Sequence, residues 1–262
     1  MFPDSNPFET VPFLLRVERF YAGMMAVAAS SPEPTLGGKL LLAGELDADG
    51  RALVIAANIA GAASLAAIAD ATLQKQAIRD GVVDFLVTSL DEALRILKNE
   101  IRKREPVAVC VAADPETVQE EMLERGVLPD LLRPANPGRG PSPFSGQGAQ
   151  SIFPTPMDEH GALLAWHVAV SPAQSLPRLD AIAQECLPVE AASARRWLRL
   201  APRYLGRLAR GSRLLVCHPD VPAEFIERAR RCVEAREIPV PVEIQVTRSG
   251  TNDQICLVRK GL

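Results

Sequence analysis

The stretch VAVCVAADPETVQEEMLERGVLPDLL (Val107–Leu132) decides the fold. Its first six residues, Val107–Ala112, form a short, continuous and β-branched run, which is typical of a fully buried strand. Pro115 suits the start of a helix that continues to Glu124 and ends at Gly126, and the apolar residues that follow can form a further strand. Strands that alternate with helices pair in parallel, because parallel neighbours require crossover connections. The stretch therefore predicts a doubly wound α/β sheet.

The residues before this stretch repeat the alternation. Apolar residues at helical spacing predict a leading helix over Val11–Ser30, and the short apolar run Lys39–Gly44 is consistent with a buried strand. A small-residue strand over Ala62–Ala69 precedes a helix that Gly81 ends, and a further helix spans Leu90–Arg104. We predict a Rossmann-like, mostly parallel sheet flanked by helices.

Two helix starts depend on capping chemistry. Glu45–Gly61 allows either a hairpin turn at DADG followed by a strand, or a helix capped there; the alanine content and Gly61 as a stop favour the helix. Ser89 precedes Glu92 by three residues, which is the spacing of a capping box.

The alternation of predicted strands and helices is interrupted after Leu132. Residues 133–156 are dominated by Pro, Gly, Ser and Gln and predict a linker or mobile loop. We expect an N-terminal helix (1–36), a Rossmann-like domain (37–132), this connection, and a second small α/β lobe (157–262). The lobe comprises predicted strands over Ala162–Val170 and Arg213–His218, helices over Ser175–Leu187, Ala191–Arg210 and Pro222–Arg236, and a terminal hairpin of VEIQVT and QICLVR.

The composition describes an ordinary soluble surface. A net charge of −3 and a pI near 5.7 give no bulk attraction to nucleic acid or acidic membranes. The five cysteines are widely spaced without a CxxC pair, which predicts reduced core thiols and no metal site. No run is long enough for a transmembrane helix, and the first residues do not resemble a signal peptide. We expect a cytoplasmic protein, with nucleic acid disfavoured as a partner.

Three segments resemble the nucleotide-binding part of urocanase (urocanate hydratase). They are GGKLLLAG (Gly37–Gly44), IAGAASLAAIADATLQKQAIRDGVVDFLVTSLDEALRILKNE (Ile59–Glu100) and the stretch Val107–Leu132, and they lie within a span of a little over a third of the chain. The resemblance implies a Rossmann-like domain, NAD as cofactor, addition of water to urocanate and a homodimer.

The resemblance also implies a glycine run after the first strand, where a pyrophosphate meets a helix N-terminus. The corresponding turn here is GELDADG, so Gly44 and Gly50 remain as candidate cofactor-binding residues, while Glu45, Asp47 and Asp49 intrude. One carboxylate about 5 Å from a phosphate charge costs on the order of 3 kcal/mol at an effective dielectric of about 20. These acids oppose NAD binding of the family's kind.

Two further candidates have alternative structural roles. Asp70 follows the second predicted strand and is placed to bind the ribose hydroxyls of a dinucleotide, or to cap the helix that begins near Thr72. Gly61 permits close approach of a cofactor, or ends the preceding helix.

No catalytic residue is carried over from the family. The loop after GVLPDLL is Arg133-Pro134-Ala135-Asn136-Pro137, where urocanases have Thr-Ser-Ala-His-Asp. The family's cysteine segment and its Gly-Arg-Asp-His-like stretch are not found, and full-length urocanases are about twice as long as this chain.

The remaining candidates lie in the second lobe. His218 ends a predicted strand, but without acids or thiols at ligand spacing a structural role is favoured over a general base or metal ligand. Arg195, Arg199, Arg203, Arg207 and Arg210 recur every three or four residues, so they form a stripe on a helix that either is a solvated face or binds an acidic partner. Pro202 is expected to kink or split that helix.

Three hypotheses about function follow. The first is a diverged urocanase-like protein without hydratase activity that binds a nucleotide, another small ligand or a partner at the Gly44–Gly50 crevice. The second is an NAD-dependent hydratase with rearranged residues. The third is an interaction protein whose working surface is the arginine helix.

Overall fold

The polypeptide follows the alternation of strands and helices that the sequence predicts. The structure, a computed structural model, describes residues 6–29, 35–135, 142–158, 161–248 and 251–257. It divides into two compact units: a Rossmann unit, Arg16–Thr155, and a second unit, Met1–Leu15 with Pro156–Leu262.

The Rossmann unit has a six-stranded sheet in the order β3-β4-β2-β1-β5-β6, and every neighbouring pair is parallel. Its strands are β1 (Leu40–Glu45), β2 (Ala63–Ala67), β3 (Phe85–Val87), β4 (Ala108–Val111), β5 (Leu131–Leu132) and β6 (Gln150–Ser151). Its helices are α1 (Val11–Ala28, from Arg16 onwards), α2 (Ala48–Ala60), α3 (Ala71–Arg79), α4 (Leu90–Lys103) and α5 (Pro115–Glu124). The Rossmann-like, mostly parallel fold is confirmed.

Small and apolar side chains allow close packing on the sheet. In α2 every residue from Ala52 to Ala60 is buried, because the helix is apolar on all sides. A second core joins β1, β2 and β4 to α4 and α5, through Leu42, Leu65 and Val109 on the strands and Leu97 and Met122 on the helices. These layers fix the carboxyl end of β1 between α2 and α5.

Local capping explains where the helices start. Ser89 Oγ accepts a hydrogen bond from the Glu92 N–H at 3.3 Å, and Glu92 Oε2 accepts one from the Thr88 N–H at 3.0 Å. The capping box is thus formed with its second bond one residue earlier than its usual place. The helical interpretation of Glu45–Gly61 is also confirmed, since α2 ends at Gly61 in the left-handed conformation, with φ of 96°.

Two short strands were not predicted. β3 occupies Phe85–Val87, between two predicted helices, and β6 lies within the segment 133–156 that was interpreted as a linker or loop. Both strands lie at ends of the sheet and are two or three residues long, so pairing with β4 and β5 defines them rather than their own pattern. Phe144 of the same segment is fully buried in the core.

The second unit contains a four-stranded antiparallel sheet in the order β10-β9-β7-β8, with helices. Its elements are β7 (Ala162–His167), α6 (Pro172–Glu185), α7 (Ala192–Leu205), β8 (Ser212–Cys217), α8 (Val221–Glu234), β9 (Val242–Arg248) and β10 (Thr251–Leu257). The predicted small α/β lobe and its terminal hairpin are present, although residues 249–250 of the turn lie outside the described ranges.

Candidate functional site

A cleft of about 690 Å³ opens at the carboxyl ends of β1 and β5. Leu42, Ala43 and Gly44 of β1 line it, together with Arg133 and the first residues of α5. Since β1 pairs with β2 on one side and β5 on the other, the sheet changes its winding direction here. Ligands of open α/β sheets bind at such a switch point, where helix N-termini and loops converge. The cleft is the candidate ligand site.

Asp47 closes the turn between β1 and α2. It is the N-cap of α2, and its Oδ1 accepts a hydrogen bond from the Gly50 N–H at 2.9 Å. In a dinucleotide site the free N–H groups of this helix end bind the pyrophosphate. One of those N–H groups is therefore already bound by a carboxylate of the chain itself.

Arg133 holds this carboxylate from the loop after β5. Its Nη2 donates to Asp47 Oδ2 at 2.7 Å and its Nη1 donates to the Glu45 carbonyl oxygen at 3.0 Å. Burial raises the pKa of Asp47, but the hydrogen bonds from Arg133 and Gly50 more than offset it and leave the pKa below its usual value. Asp47 is therefore ionised at neutral pH and paired.

The two glycines of the turn have different structural roles. A Cβ on Gly50 would lie 2.0 Å from the Glu45 carbonyl oxygen, so Gly50 lets the chain fold back on itself. Gly44 has φ of +68°, and a Cβ there would meet nothing within 4 Å. Gly44 thus lines the cleft, whereas the contact that requires glycine at position 50 is with the chain's own backbone.

The second helix end at the cleft is capped in the same way. Asp114 is the N-cap of α5, and its Oδ1 accepts hydrogen bonds from the Glu116 N–H at 2.9 Å and the Thr117 N–H at 3.4 Å. Glu116 and Glu120 of α5 also line the cleft. Both helix N-termini that a phosphate would use thus carry internal carboxylates, and the rim is acidic.

A family model matches the part of the chain that supplies most of the residues lining this cleft. The family model of the urocanase Rossmann-like domain matches residues 17–135, a little under half of the chain. Residues 17–135 are thus similar to a urocanase Rossmann-like domain. The match runs from within α1 to just after β5, so it covers Gly44, Asp114 and Arg133 and ends before β6.

The urocanase Rossmann-like domain brings an expectation of NAD, and the residues of the turn do not fit its pyrophosphate. To bind the N-terminus of α2, a phosphate would displace the Asp47 carboxylate from Gly50 and from Arg133. Asp49, the next acid of the turn, forms an ion pair with Arg16 at 3.3 Å, so its charge is partly neutralised. The obstacle is thus less the summed charge that the sequence suggested than the occupied hydrogen-bonding groups.

The other two predicted cofactor residues lie outside the cleft of the urocanase Rossmann-like domain. Asp70 caps α3, where its Oδ1 accepts hydrogen bonds from the Thr72 N–H at 2.7 Å and the Leu73 N–H at 2.9 Å. Gly61 ends α2, and because α2 runs antiparallel to β1, Gly61 lies at the amino-terminal edge of the sheet. A 13-residue helix spans about 20 Å, so the structure places Gly61 away from the ligand edge.

Arg133 is the residue that sequence reasoning missed. It was placed at the start of the linker, although it directly follows β5, and loops at strand carboxyl ends commonly carry ligand contacts. Its partner Asp47 is 86 residues away in the sequence. Because the two residues lie so far apart in the sequence, no local pattern could predict their pairing.

The histidines and cysteines of the second unit form no comparable site. His218 is exposed and lies 3.2 Å from Asp220, while His167 Nδ1 lies 3.0 Å from the buried Ser212 hydroxyl. Burial raises the pKa of Cys217 to about 12, so it is no thiolate nucleophile. Within the described ranges no three His, Cys, Asp or Glu side chains group to hold a metal ion.

The arginine helix is shorter than predicted. α7 contains Pro202, ends at Leu205, and gives way to a 3₁₀ turn at Gly206, which has a positive φ of 43°. Arg195 turns inward and donates to the carbonyl oxygens of Leu187 and Pro188. The predicted single stripe from Arg195 to Arg210 is therefore wrong, and Arg199 and Arg203 remain exposed on α7.

Proposed function

We propose that this protein is a diverged member of the urocanase-like group that binds a small ligand in the cleft at β1 and β5 and has no urocanate hydratase activity. The single observation that carries this proposal is the closed set of Gly50, Asp47 and Arg133 at the N-terminus of α2. It removes the anion-binding function of the turn while leaving an open cleft beside it.

The energetics oppose NAD in the family's position. A hydrogen bond to a charged group contributes about 1.5–3 kcal/mol, and Asp47 makes such bonds to both Gly50 and Arg133. A phosphate that replaced Asp47 would break them and would then lie beside the displaced carboxylate. The phosphate and the displaced carboxylate are both negatively charged, so their repulsion at close range adds a further cost to the free energy of binding.

The lining of the cleft supports a neutral or cationic ligand with an apolar part. Leu42 and Ala43 supply apolar contacts, and Glu45, Glu116 and Glu120 supply negative charge. The guanidinium of Arg133 is already paired with Asp47. A nucleotide would bring negative charge to this rim, so it is a weaker candidate than an amine or an uncharged metabolite.

The ligand is tested by the shift in unfolding temperature of the purified protein. The probes are NAD, NADH, ATP, urocanate and the organic cation agmatine. A second measurement follows the absorbance of urocanate to detect its loss. A ligand at one hundred times its dissociation constant stabilises the folded state by about 2.7 kcal/mol, so even weak binding is measurable. We expect no shift with NAD and no loss of urocanate. A clear NAD shift together with urocanate turnover would instead establish the hydratase hypothesis.

The cellular location of the protein is also a proposal. All five cysteines are free, which fits a reducing compartment, and we place the protein in the cytoplasm. None of the described helices is long and apolar enough to cross a membrane.

A further inference from the structure

Among the described residues that line the cleft at β1 and β5, one side chain is basic. It belongs to Arg133, and 14% of it is exposed. Four acids share the lining: Glu45, Asp114, Glu116 and Glu120. A guanidinium with so little access to water must find hydrogen-bond partners in the protein or on a ligand. The partners of Arg133 therefore bear on which ligand the cleft takes.

Most of the N–H groups of Arg133 have no partner within the described part of the chain. A guanidinium carries five N–H donors. One on Nη2 binds Asp47 Oδ2 and one on Nη1 binds the Glu45 carbonyl oxygen, so three remain. The ion pair with Asp47 thus neutralises the charge of Arg133 without satisfying its donors. A ligand that excludes water from these donors must accept their hydrogen bonds, because an unmet charged donor is costly.

The helix N-termini at the cleft do not compete with Arg133 for an anionic group. Asp47 accepts a hydrogen bond from the Gly50 N–H at the start of α2. Asp114 does the same for the Glu116 N–H at the start of α5. Both helix ends therefore carry carboxylates of the chain itself, which repel a further anion. A carboxylate on a ligand is directed to Arg133 instead.

The acids of the lining favour a cationic group beside Arg133. Glu45 and Glu120 are exposed, and neither carboxylate has a partner within the described ranges. An ammonium group in the cleft is attracted by both charges. The backbone of Glu45 is itself bonded to Arg133, so the cationic and anionic ends of the site adjoin. A ligand can serve both ends when its own two charges lie close together.

We infer that the cleft binds an α-amino acid with a large apolar side chain, whose carboxylate contacts Arg133 and whose ammonium group faces Glu45 and Glu120. This inference rests on the proposed function and names the class of its ligand. A simple amine would leave the donors of Arg133 unmet, and an uncharged molecule would leave both ends unmet. Leu42 and Ala43 supply apolar contacts, and a volume of about 690 Å³ leaves room for an aromatic ring.

Three probes that share a phenyl group test the two charges separately. They are L-phenylalanine, 2-phenylethylamine, which lacks the carboxylate, and 3-phenylpropanoate, which lacks the ammonium group. The unfolding temperature of the full chain at about pH 7, measured as a function of probe concentration, gives each dissociation constant by mass action. We expect L-phenylalanine to bind at least about tenfold more tightly than either of the others, a difference of about 1.4 kcal/mol.

Variants of α5 and of Arg133 then test which groups bind each end of the ligand. Glu120→Gln should weaken the binding of L-phenylalanine at least about threefold, the effect of one partly exposed charge pair, and should strengthen that of 3-phenylpropanoate because a repulsive charge is lost. Glu124→Gln is the matched control, since Glu124 is exposed on the same helix outside the cleft lining and its replacement should change neither affinity. Arg133→Gln should remove the preference for L-phenylalanine over 2-phenylethylamine. Melting temperatures without probe show whether each variant folds.

The results separate this inference from the proposed function. If agmatine or 2-phenylethylamine binds as tightly as L-phenylalanine, a small ligand occupies the cleft but the inference is wrong. Tighter binding of 3-phenylpropanoate than of L-phenylalanine, or an equal response of Glu120→Gln and Glu124→Gln, also overturns it. If no probe, including those of the proposed function, changes the unfolding temperature, the inference and the proposed function both fail.

Discussion

At the scale of single residues, the β1–α2 turn shows how one glycine can serve the fold where a family pattern suggests a ligand. A Cβ at position 50 would lie 2.0 Å from the Glu45 carbonyl oxygen, a backbone atom that cannot move independently of β1. We expect Gly50→Ala to lower the free energy of unfolding by about 2 kcal/mol or more, through overpacking. Urea denaturation measures this, and Gly146→Ala is the control because a Cβ there meets nothing within 4 Å. Equal stability of the two variants would contradict the close contact.

A second residue makes stability depend on pH. Burial raises the pKa of Glu18 on α1 from 4.5 to about 7, although the charge of Arg19 opposes the shift. The folded state holds this proton more tightly than the unfolded state. The contribution of Glu18 to the free energy of unfolding is therefore fully present below about pH 4.5 and is lost as the pH rises through about 7. We expect Glu18→Gln to exceed the wild type by about 1–3 kcal/mol at pH 8, with the difference vanishing near pH 4. Thermal unfolding at both pH values measures it, and a difference independent of pH would show that another group is responsible.

At the scale of elements, the sequence predicted the helix ends, which depend on local contacts, but not the short strands, which depend on pairing with distant parts of the chain. Asp114 before Pro115, and Gly61 after an alanine-rich run, mark helix ends through contacts within a few residues. β3 and β6 have no pattern of their own and depend on β4 and β5. For the same reason, the cleft's position followed from the topology, whereas the bond between Asp47 and Arg133 joins distant parts of the chain and could not be predicted.

The segment after β5 is an element of the core rather than only a connection. Phe144 is fully buried against the residues of the α4 and α5 core. We expect Phe144→Ala to cost about 3–5 kcal/mol of unfolding free energy, the usual effect of deleting a buried aromatic ring. Phe153→Ala, in the same segment but 65% exposed, should stay within about 0.5 kcal/mol of the wild type. Chemical denaturation of both variants decides the matter: similar losses would mean that Phe144 is not buried in solution.

At the scale of the whole molecule, the chain combines a unit similar to the urocanase Rossmann-like domain with a second unit that the family match does not cover. The sheet order and the cleft at its switch point persist, while the groups that would bind a pyrophosphate are bonded within the chain. The core residues maintain the scaffold of such a sheet, whereas the loops at its edge determine which ligand binds, so few substitutions are needed to change the ligand. A single substitution in the β1–α2 turn can therefore test which group opposes the binding of a pyrophosphate.

Asp47→Gly is that substitution. The variant removes the carboxylate from the Gly50 N–H and frees the Arg133 guanidinium, and glycine is itself tolerated at an N-cap. Both groups can then bind a phosphate, so we expect NAD to bind at least about tenfold more tightly than to the wild type, a gain of about 1.4 kcal/mol. Isothermal titration calorimetry measures the two affinities.

Asp49→Ala removes the same charge without freeing either group, because Asp49 pairs with Arg16 instead. If Asp49→Ala gained as much affinity as Asp47→Gly, the net charge of the turn would be the obstacle; a gain confined to Asp47→Gly would identify the internal carboxylate as the occupant of the phosphate position.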